Sequence, residues 1–287
     1  MSTNTFISFP SPAKLNLFLH IVGQRTDGYH ELETVFQFLD VGDTIEIATL
    51  MSSSSITLLT PIANVNNEDN LIIKAAKALQ QYSNTTKGVQ IKINKILPMG
   101  GGLGGGSSNA ATVLIALNYL WQLQLSLDEL ANIGISLGAD VPVFIHGYAA
   151  FAQGIGEKLT PVNPKEDYYL ITKPMVSIST QSVFTAPSLT RDTPKIKLDQ
   201  MDIENCHNDC QTFVIKHYPE VANLLAWLIE YAPSQMTGTG ACIFSRFSSK
   251  EEAEKVQRLL PENISSFVAK GVNHSPLHQK IAMLKTG

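Results

Sequence analysis

The sequence predicts an α+β protein in two parts, and three observations carry the prediction. Strand-like and helix-like stretches succeed one another through all 287 residues, with no internal repeat. Between residues 97 and 117 a glycine-dense loop runs straight into an apolar helix. Pro161, Pro164 and Pro174 bracket an apolar strand at residues 168–172, which puts a boundary near residues 155–160. The division drawn from it is residues 1–157 and residues 158–287.

The first part opens on a strand over residues 13–22. Ala13, Leu15, Leu17, Leu19 and Ile21 alternate with Lys14, Asn16, Phe18 and His20. One face is core; the other carries an ammonium and an amide side by side, and reads as solvated or as substrate-facing. Arg25-Thr26-Asp27-Gly28-Tyr29-His30 is a turn signalled by Asp-Gly, with two rings just beyond it. Residues 34–39, 43–49 and 56–59 read as strands. Residues 70–82 read as a helix, with Leu71, Ala75, Ala78 and Leu79 on one side. Ser126 and Glu129 form a capping box for a helix to about residue 137. Asp140 precedes Pro142 and an apolar stretch, the pattern of a helix N-cap.

In the second part the strand at 168–172 is followed by an irregular, Pro- and Thr-containing segment at 181–198. Residues 206–218 and 220–231 read as helices. Thr237-Gly238-Thr239-Gly240-Ala241 is a second, shorter glycine turn before a strand at 242–247. A helix at 251–260 and a strand at 267–272 close the pattern.

The chemistry centres on Leu97-Pro98-Met99-Gly100-Gly101-Gly102-Leu103-Gly104-Gly105-Gly106-Ser107-Ser108-Asn109, where six of thirteen residues are glycine. Without Cβ atoms, backbone N–H groups can approach an anion closely, and the helix N-terminus adds partial positive charge. A flexible linker would not lead into an apolar helix capped by Ser107, Ser108 and Asn109. No G-K-[ST] follows, which excludes a Walker A loop. Gly100, Gly102 and Gly105 satisfy G-x-G-x-x-G, but the preceding strand at 89–95 alternates apolar and polar as a half-exposed strand does. A phosphate loop of a third kind fits better.

Composition narrows the partners. Hydrophobic residues make up 44% and charged residues 16%, as in a globular chain with a sizeable core. The net charge of −4 and the lack of a basic block exclude nucleic acid as an expected partner. No signal peptide and no membrane span is read, so the expected compartment is the cytoplasm. Cys206, Cys210 and Cys242 suit a reducing compartment, and Cys206-His207-x-x-Cys210 offers too few ligands for a zinc site.

The order of these motifs resembles the galactokinase–homoserine kinase–mevalonate kinase (GHMP) superfamily of small-molecule kinases. A lysine-bearing first motif, a Pro-x-Gly-Gly-Gly-Leu-Gly phosphate loop and a late glycine turn are its marks. Here they are Pro12-Ala13-Lys14-Leu15-Asn16-Leu17, the loop from Pro98, and Gly238-Thr239-Gly240-Ala241. Within the superfamily the chain is most similar to the family that phosphorylates 4-diphosphocytidyl-2-C-methyl-D-erythritol. Gly23-Gln24-Arg25-x-Asp27-Gly28-Tyr29-His30, the full-length loop and Leu137-Gly138-Ala139-Asp140-Val141-Pro142-Val143-Phe144 discriminate. The resemblance spans residues 10–276, and residues 160–205 contribute little to it.

The resemblance implies the two-domain GHMP kinase fold. A ribosomal-protein-S5-like N-terminal domain would bind ATP, and a ferredoxin-like C-terminal domain would flank the substrate. It implies phosphoryl transfer from ATP to the 2-hydroxyl of that substrate, in non-mevalonate isoprenoid biosynthesis. Lys14 and Asp140 match the catalytic pair. Asp140 would accept or orient the hydroxyl proton, and Lys14 would hold the hydroxyl and offset the carboxylate's charge. Pro98, Met99, Gly100, Gly101, Gly102, Leu103, Gly104, Gly105, Gly106, Ser107 and Ser108 would bind ATP, those from Gly100 to Ser108 wrapping its phosphates. Asn70 and Lys95 match positions lining the adenine pocket. Asn16, Tyr29, His30, Thr180 and Phe184 match the cytidine side, with Tyr29 and Phe184 sandwiching the base and His30 on its edge. Mg²⁺ is expected with ATP, and no protein ligand for it is assigned. The alternative is a mevalonate- or homoserine-type kinase of the same superfamily, whose substrates have no base for these rings.

Overall fold

Two long antiparallel strands set the frame: β1 (Ile7–Gln24) and β2 (His30–Leu50). In the computed structural model, residues 5–63 and 65–286 are described. The strands expected at 34–39 and 43–49 are a single strand, because β2 runs through the intervening residues still paired to β1. The second half of β2 pairs with β4 (Gly88–Asn94), which pairs in parallel with β3 (Ile56–Leu58). Its first half pairs with β5 (Ala150–Gly154), which turns back into β6 (Lys158–Pro161).

Helices α1 (Leu71–Ser83), α2 (Gly105–Leu120), α3 (Leu127–Ile135) and α4 (Val141–His146) pack on this sheet. The Asn70 side chain accepts from the Ile72 N–H to start α1, and the Ser126–Glu129 capping box starts α3 as its sequence predicts. Every residue of α2 from Ser108 to Leu117 is buried. A helix apolar on all sides belongs at the centre of a layered structure, and α2 lies between α1, α4 and the sheet.

The second part has β7 (Tyr168–Lys173), α5 (Thr180–Phe184), α6 (Asp209–His217), α7 (Pro219–Ile229), β8 (Ser234–Met236), β9 (Ile243–Phe247), α8 (Lys250–Gln257) and β10 (Ser265–Val272). Its strands are antiparallel in the order β10-β7-β9-β8. Strand–helix–strand–strand–helix–strand connectivity with this order is the ferredoxin-like arrangement. The end of β10 pairs with β2 through Gly271–Leu39 and Val272–Phe38, which joins the two sheets.

Three expectations are corrected. The division at 157/158 would cut the β5–β6 hairpin, whose last backbone bond is Val162 N–H to Ala149 O at 2.9 Å; the chain crosses over only after residue 162. The second part is also not continuous to the end. An unforeseen helix, α9 (Pro276–Thr286), returns to the first core and buries Leu277 and Ile281 there. Finally, the alternation read for β1 puts Phe18 on the wrong face. Of the two readings of the polar face the solvated one falls, since Lys14, Asn16 and His20 are buried, and Lys14 and Asn16 line the cavity between the two parts. Register shifts between Pro12 and Lys14 and between Asn16 and Leu19 break the strict alternation. Phe18 thereby joins Leu15 and Leu17 in the core shared with β7 and β9. Among the described residues no helix is long and apolar enough to cross a membrane.

Candidate active site

A cavity of about 570 Å³ opens between the two parts, floored by β1 and β2 and rimmed by both glycine turns. Its phosphate-like side is main chain. Helix α2 starts at Gly105, and its cap is Gly104 at φ +70° with no side-chain hydrogen bond. Ser107, Ser108 and Asn109 therefore lie inside the first turn and do not cap it. With no capping side chain, the first N–H groups of α2 are left open for a ligand anion. Gly104 has to be glycine: a Cβ there would lie 2.9 Å from the Phe144 ring and 3.1 Å from Lys14 Cε.

Gly102 serves a different contact. A Cβ on it would meet the carbonyl oxygen of Thr237 at 2.2 Å. The two glycine turns thus touch main chain to main chain, and the Cys242 N–H donates to Gly101 O at 3.3 Å beside them. The Asn208 side-chain amide steadies the second turn by donating to Met236 O and Gly238 O, both at 2.8 Å.

Ser108 is a further correction. It is 1% exposed and does not line the cavity. Its N–H donates to Gly104 O, and its hydroxyl accepts from Ser11 Oγ at 2.9 Å. The other ten loop residues expected to bind ATP, from Pro98 to Ser107, do line it.

The entrance to the loop is held by Asp43, which sequence reasoning missed. Its buried carboxylate accepts from the N–H groups of Ile96 and Leu97, each at 2.8 Å, and from Lys95 Nζ at 2.6 Å. A lone aspartate within a strand pattern gives no signal of this role; its partners lie about fifty positions on. Lys95 reaches the start of α2, since a Cβ on Gly105 would lie 3.2 Å from its ammonium. Its charge therefore adds to the positive end of the helix on the cavity wall.

Asn70 has its amide oxygen committed to its cap, at 2.9 Å from Ile72 N, and a buried amide nitrogen at the cavity that has no partner among the described residues. An unpartnered buried donor is costly, and a ligand acceptor would relieve it.

Lys14 and Asp140 come together from opposite ends of the first part, Nζ to Oδ2 at 3.2 Å. Lys14 is 3% exposed, whereas the Asp140 side chain is 32% exposed at the cavity. Asp140 occupies the N-cap position of α4, yet its side chain caps nothing. Its backbone is at φ −83°, ψ −10°, not the extended conformation from which a cap side chain reaches back. The carboxylate is free for chemistry. Lys14 also donates to Asn16 Oδ1 and to Gly102 O at 3.1 Å. An ammonium has three donors, and here all three face oxygens.

On the opposite side Thr180 and Phe184 line the cavity, with Thr180 Oγ1 3.0 Å from Thr239 Oγ1. Tyr29 and His30 do not line it. Tyr29 is 61% exposed, and its ring is not brought against Phe184. Phe184 instead stacks on His30, centroids 5.1 Å apart and planes at 25°. Burial first, and then the Arg191 guanidinium, hold the His30 pKa below its ordinary value. Arg191, unforeseen, donates from Nε to His30 Nε2 at 2.9 Å.

No triad of metal-binding side chains occurs among the described residues. Among the described residues the two carboxylates on the cavity are Asp140, paired with Lys14, and Asp69, 3.5 Å from Lys74 Nζ. Cys210 is buried in the second core, and burial pushes its thiol up to about 12.

With this geometry in place, comparison with known proteins is direct. Residues 70–148 match the family described as GHMP kinases N terminal domain, and residues 197–265 match GHMP kinases C terminal. A 4-diphosphocytidyl-2-C-methyl-D-erythritol kinase of Colwellia psychrerythraea is 64% identical, over 98% of this chain and 95% of that one. One of Shewanella loihica is 58% identical, over 96% of this chain and 98% of that one. A crystal structure of 4-(cytidine 5'-diphospho)-2C-methyl-D-erythritol kinase superposes with a TM-score of 0.80 at 26% identity, covering 92% of this chain and 99% of that one. Matched in both halves and over nearly its whole length, the chain belongs to the GHMP kinases and, within them, to the 4-diphosphocytidyl-2-C-methyl-D-erythritol kinase family.

Proposed function

We propose that this kinase moves the γ-phosphoryl group of ATP to the 2-hydroxyl of 4-diphosphocytidyl-2-C-methyl-D-erythritol, a step in non-mevalonate isoprenoid biosynthesis, and that Lys14 and Asp140 carry the transfer. The observation behind the residue roles is the uncapped carboxylate of Asp140, held 3.2 Å from a buried lysine on a cavity bordered by the open start of α2. The identity to relatives of that name, 64% in one case, supports the substrate over a mevalonate- or homoserine-type one.

Phosphoryl transfer depends mostly on position and charge, so the protein has little covalent work to do. The N–H groups at the start of α2, together with Lys95, cradle the ATP phosphates. Asn70 donates a hydrogen bond from its spare amide N–H to the adenine. Asp140 accepts or orients the hydroxyl proton, within reach of the reacting oxygen. Lys14 acts chiefly as a fixed positive charge. Its three donors already face Asn16, Gly102 and Asp140, so to hold the substrate hydroxyl it must release one of them. Mg²⁺ comes bound to the ATP phosphates, and no residue of this chain is assigned as its ligand. We place the reaction in the cytoplasm, where the three free cysteines would persist as thiols.

A coupled ADP-release assay tests the assignment. Turnover with the cytidyl substrate and none with mevalonate or homoserine is expected; the reverse pattern would overturn it.

A further inference from the structure

A chain of buried polar groups leads away from the Lys14–Asp140 pair, and Thr34 is its middle link. Lys14 Nζ donates to Asn16 Oδ1, Asn16 Nδ2 donates to Thr34 Oγ1 at 3.0 Å, and Thr34 Oγ1 donates to Phe18 O. All three side chains are buried, and all three border the cavity. The far end of the chain sets its direction. A main-chain carbonyl only accepts, so it takes the single proton of the Thr34 hydroxyl. The hydroxyl must then accept from Asn16, which turns the amide NH2 to Thr34 and leaves the amide oxygen for Lys14. At the near end an ammonium only donates, and the amide meets it with its acceptor. The opposite amide orientation would set an NH2 against an ammonium and ask one hydroxyl proton to serve two acceptors.

A bulge in β1 makes the arrangement. Asn16 pairs with Phe36 and Leu19 pairs with Thr34, so Leu17 and Phe18 stand opposite Val35 alone. The extra residue brings the Phe18 carbonyl within reach of a side chain on the neighbouring strand. The Asn16 N–H donates to Thr237 Oγ1 of the second glycine turn at 2.9 Å. With its main chain held there, the orientation of the Asn16 amide is settled by Thr34 and Lys14.

We propose that Thr34 is a positioning residue for the transfer, whose hydroxyl locks the Asn16 amide so that Oδ1 holds the Lys14 ammonium beside Asp140. The proposal rests on the roles given above to Lys14 and Asp140. Were the amide free to turn over, Lys14 would lose an acceptor for part of the time, and its place 3.2 Å from Asp140 would loosen. A charge that wanders costs rate in a reaction that depends on position and charge.

The test compares Thr34→Val, which keeps the shape and removes the hydroxyl, with Thr34→Ser, which keeps the hydroxyl. Thr34→Val should lower kcat with the cytidyl substrate about tenfold, as for one weakened hydrogen bond to a charged group, while KM for ATP stays within about twofold. Thr34→Ser should keep kcat within about threefold of the unaltered chain. Because Thr34 acts through Asn16, adding Thr34→Val to Asn16→Leu should change kcat by less than about twofold. In the full unaltered chain with isotope-labelled asparagine, the nuclear Overhauser contacts of the Asn16 amide protons should be stronger to Thr34 than to Lys14. Their signals are identified by their loss in Asn16→Leu.

Stronger contacts to Lys14 would overturn the proposal, even should Thr34→Val fail to fold. A normal kcat in Thr34→Val would overturn it too, as would an equal loss in Thr34→Ser, which would point to the methyl group. Losses that multiply in the double variant would also overturn it, since Thr34 would then act on the substrate by itself. A near-normal kcat in Asp140→Asn would instead overturn the role of the Lys14–Asp140 pair, whatever the orientation of the amide.

Discussion

The glycine-loop side of the cavity is made of main chain, and the α5 side is backed by side chains. On the first, the open N–H groups of α2 and the φ +70° of Gly104 shape the surface, and buried Asp43 anchors it from behind. On the second, two rings and a guanidinium from segments 161 positions apart hold one another in place. Main-chain cradles tolerate any anion of the right shape; side-chain surfaces discriminate by the pattern of donors and acceptors they present. That contrast suits a kinase whose phosphate donor is common to the whole superfamily and whose acceptor is not.

The sharpest way to probe the contrast starts between the two sides, at the proposed catalytic pair. Asp140→Asn should lower kcat roughly 10²- to 10⁴-fold, the range for loss of a general base, while KM for ATP moves little. Because the Asp140 side chain caps no helix, the melting temperature should stay within a degree or two of its starting value. A large fall in stability with near-normal kcat would return Asp140 to a structural role.

Next in size is Gly102→Ala compared with Gly106→Ala. The first places a Cβ 2.2 Å from Thr237 O at φ +78°, so the two turns must part. We expect roughly 1–3 kcal/mol of destabilisation and weak ATP binding together. The loop is therefore not a surface feature whose glycines can change without cost to the fold. A Cβ at Gly106 would meet only Leu71 Cδ1 at 3.4 Å, and stability should hold. Calorimetric melting with and without ATP separates the two; equal behaviour of both variants would break the picture of interlocked turns.

On the base side, Phe184→Ala should raise KM for the cytidyl substrate about tenfold, within the range for one base–aromatic contact, and leave KM for ATP nearly unchanged. Tyr29→Ala should cost less, since an exposed ring must first lose its freedom in order to stack. Steady-state kinetics with each substrate varied in turn decides this. A larger effect at Tyr29 than at Phe184 would show that the base lies against Tyr29.

The smallest expected effect is at Asn70. Asn70→Asp keeps an oxygen for the Ile72 cap but removes the spare N–H, so KM for ATP should rise severalfold with little change in melting. Asn70→Ala removes both and should also lose about 1 kcal/mol of stability. Identical KM values for Asn70→Asp and the unaltered chain would remove Asn70 from the adenine site.

What the sequence by itself determined is local. Glycine density, an apolar run without breaks and the Ser126–Glu129 box are patterns within a few residues, and the loop, α2 and α3 follow them. The resemblance to a kinase family also rests on contiguous motifs, and it named Lys14 and Asp140 before their distance was visible. The tertiary structure alone decided which faces are buried and which side chains meet. Lys14 and Asn16 alternate as a surface strand would, and they are buried because the glycine loop, Phe36 and Asp140 close over Lys14, and Thr34 and Thr237 close over Asn16. Asp140 has the sequence of a helix cap, but its backbone angles turn the carboxylate to Lys14. Asp43 and Arg191 carry no periodicity or motif, because their partners are main-chain atoms and a ring brought near only by folding. Backbone conformation is written in neighbouring residues; the pairing of polar groups across a core is set by burial, which makes every unpaired donor expensive and leaves few arrangements that satisfy them all.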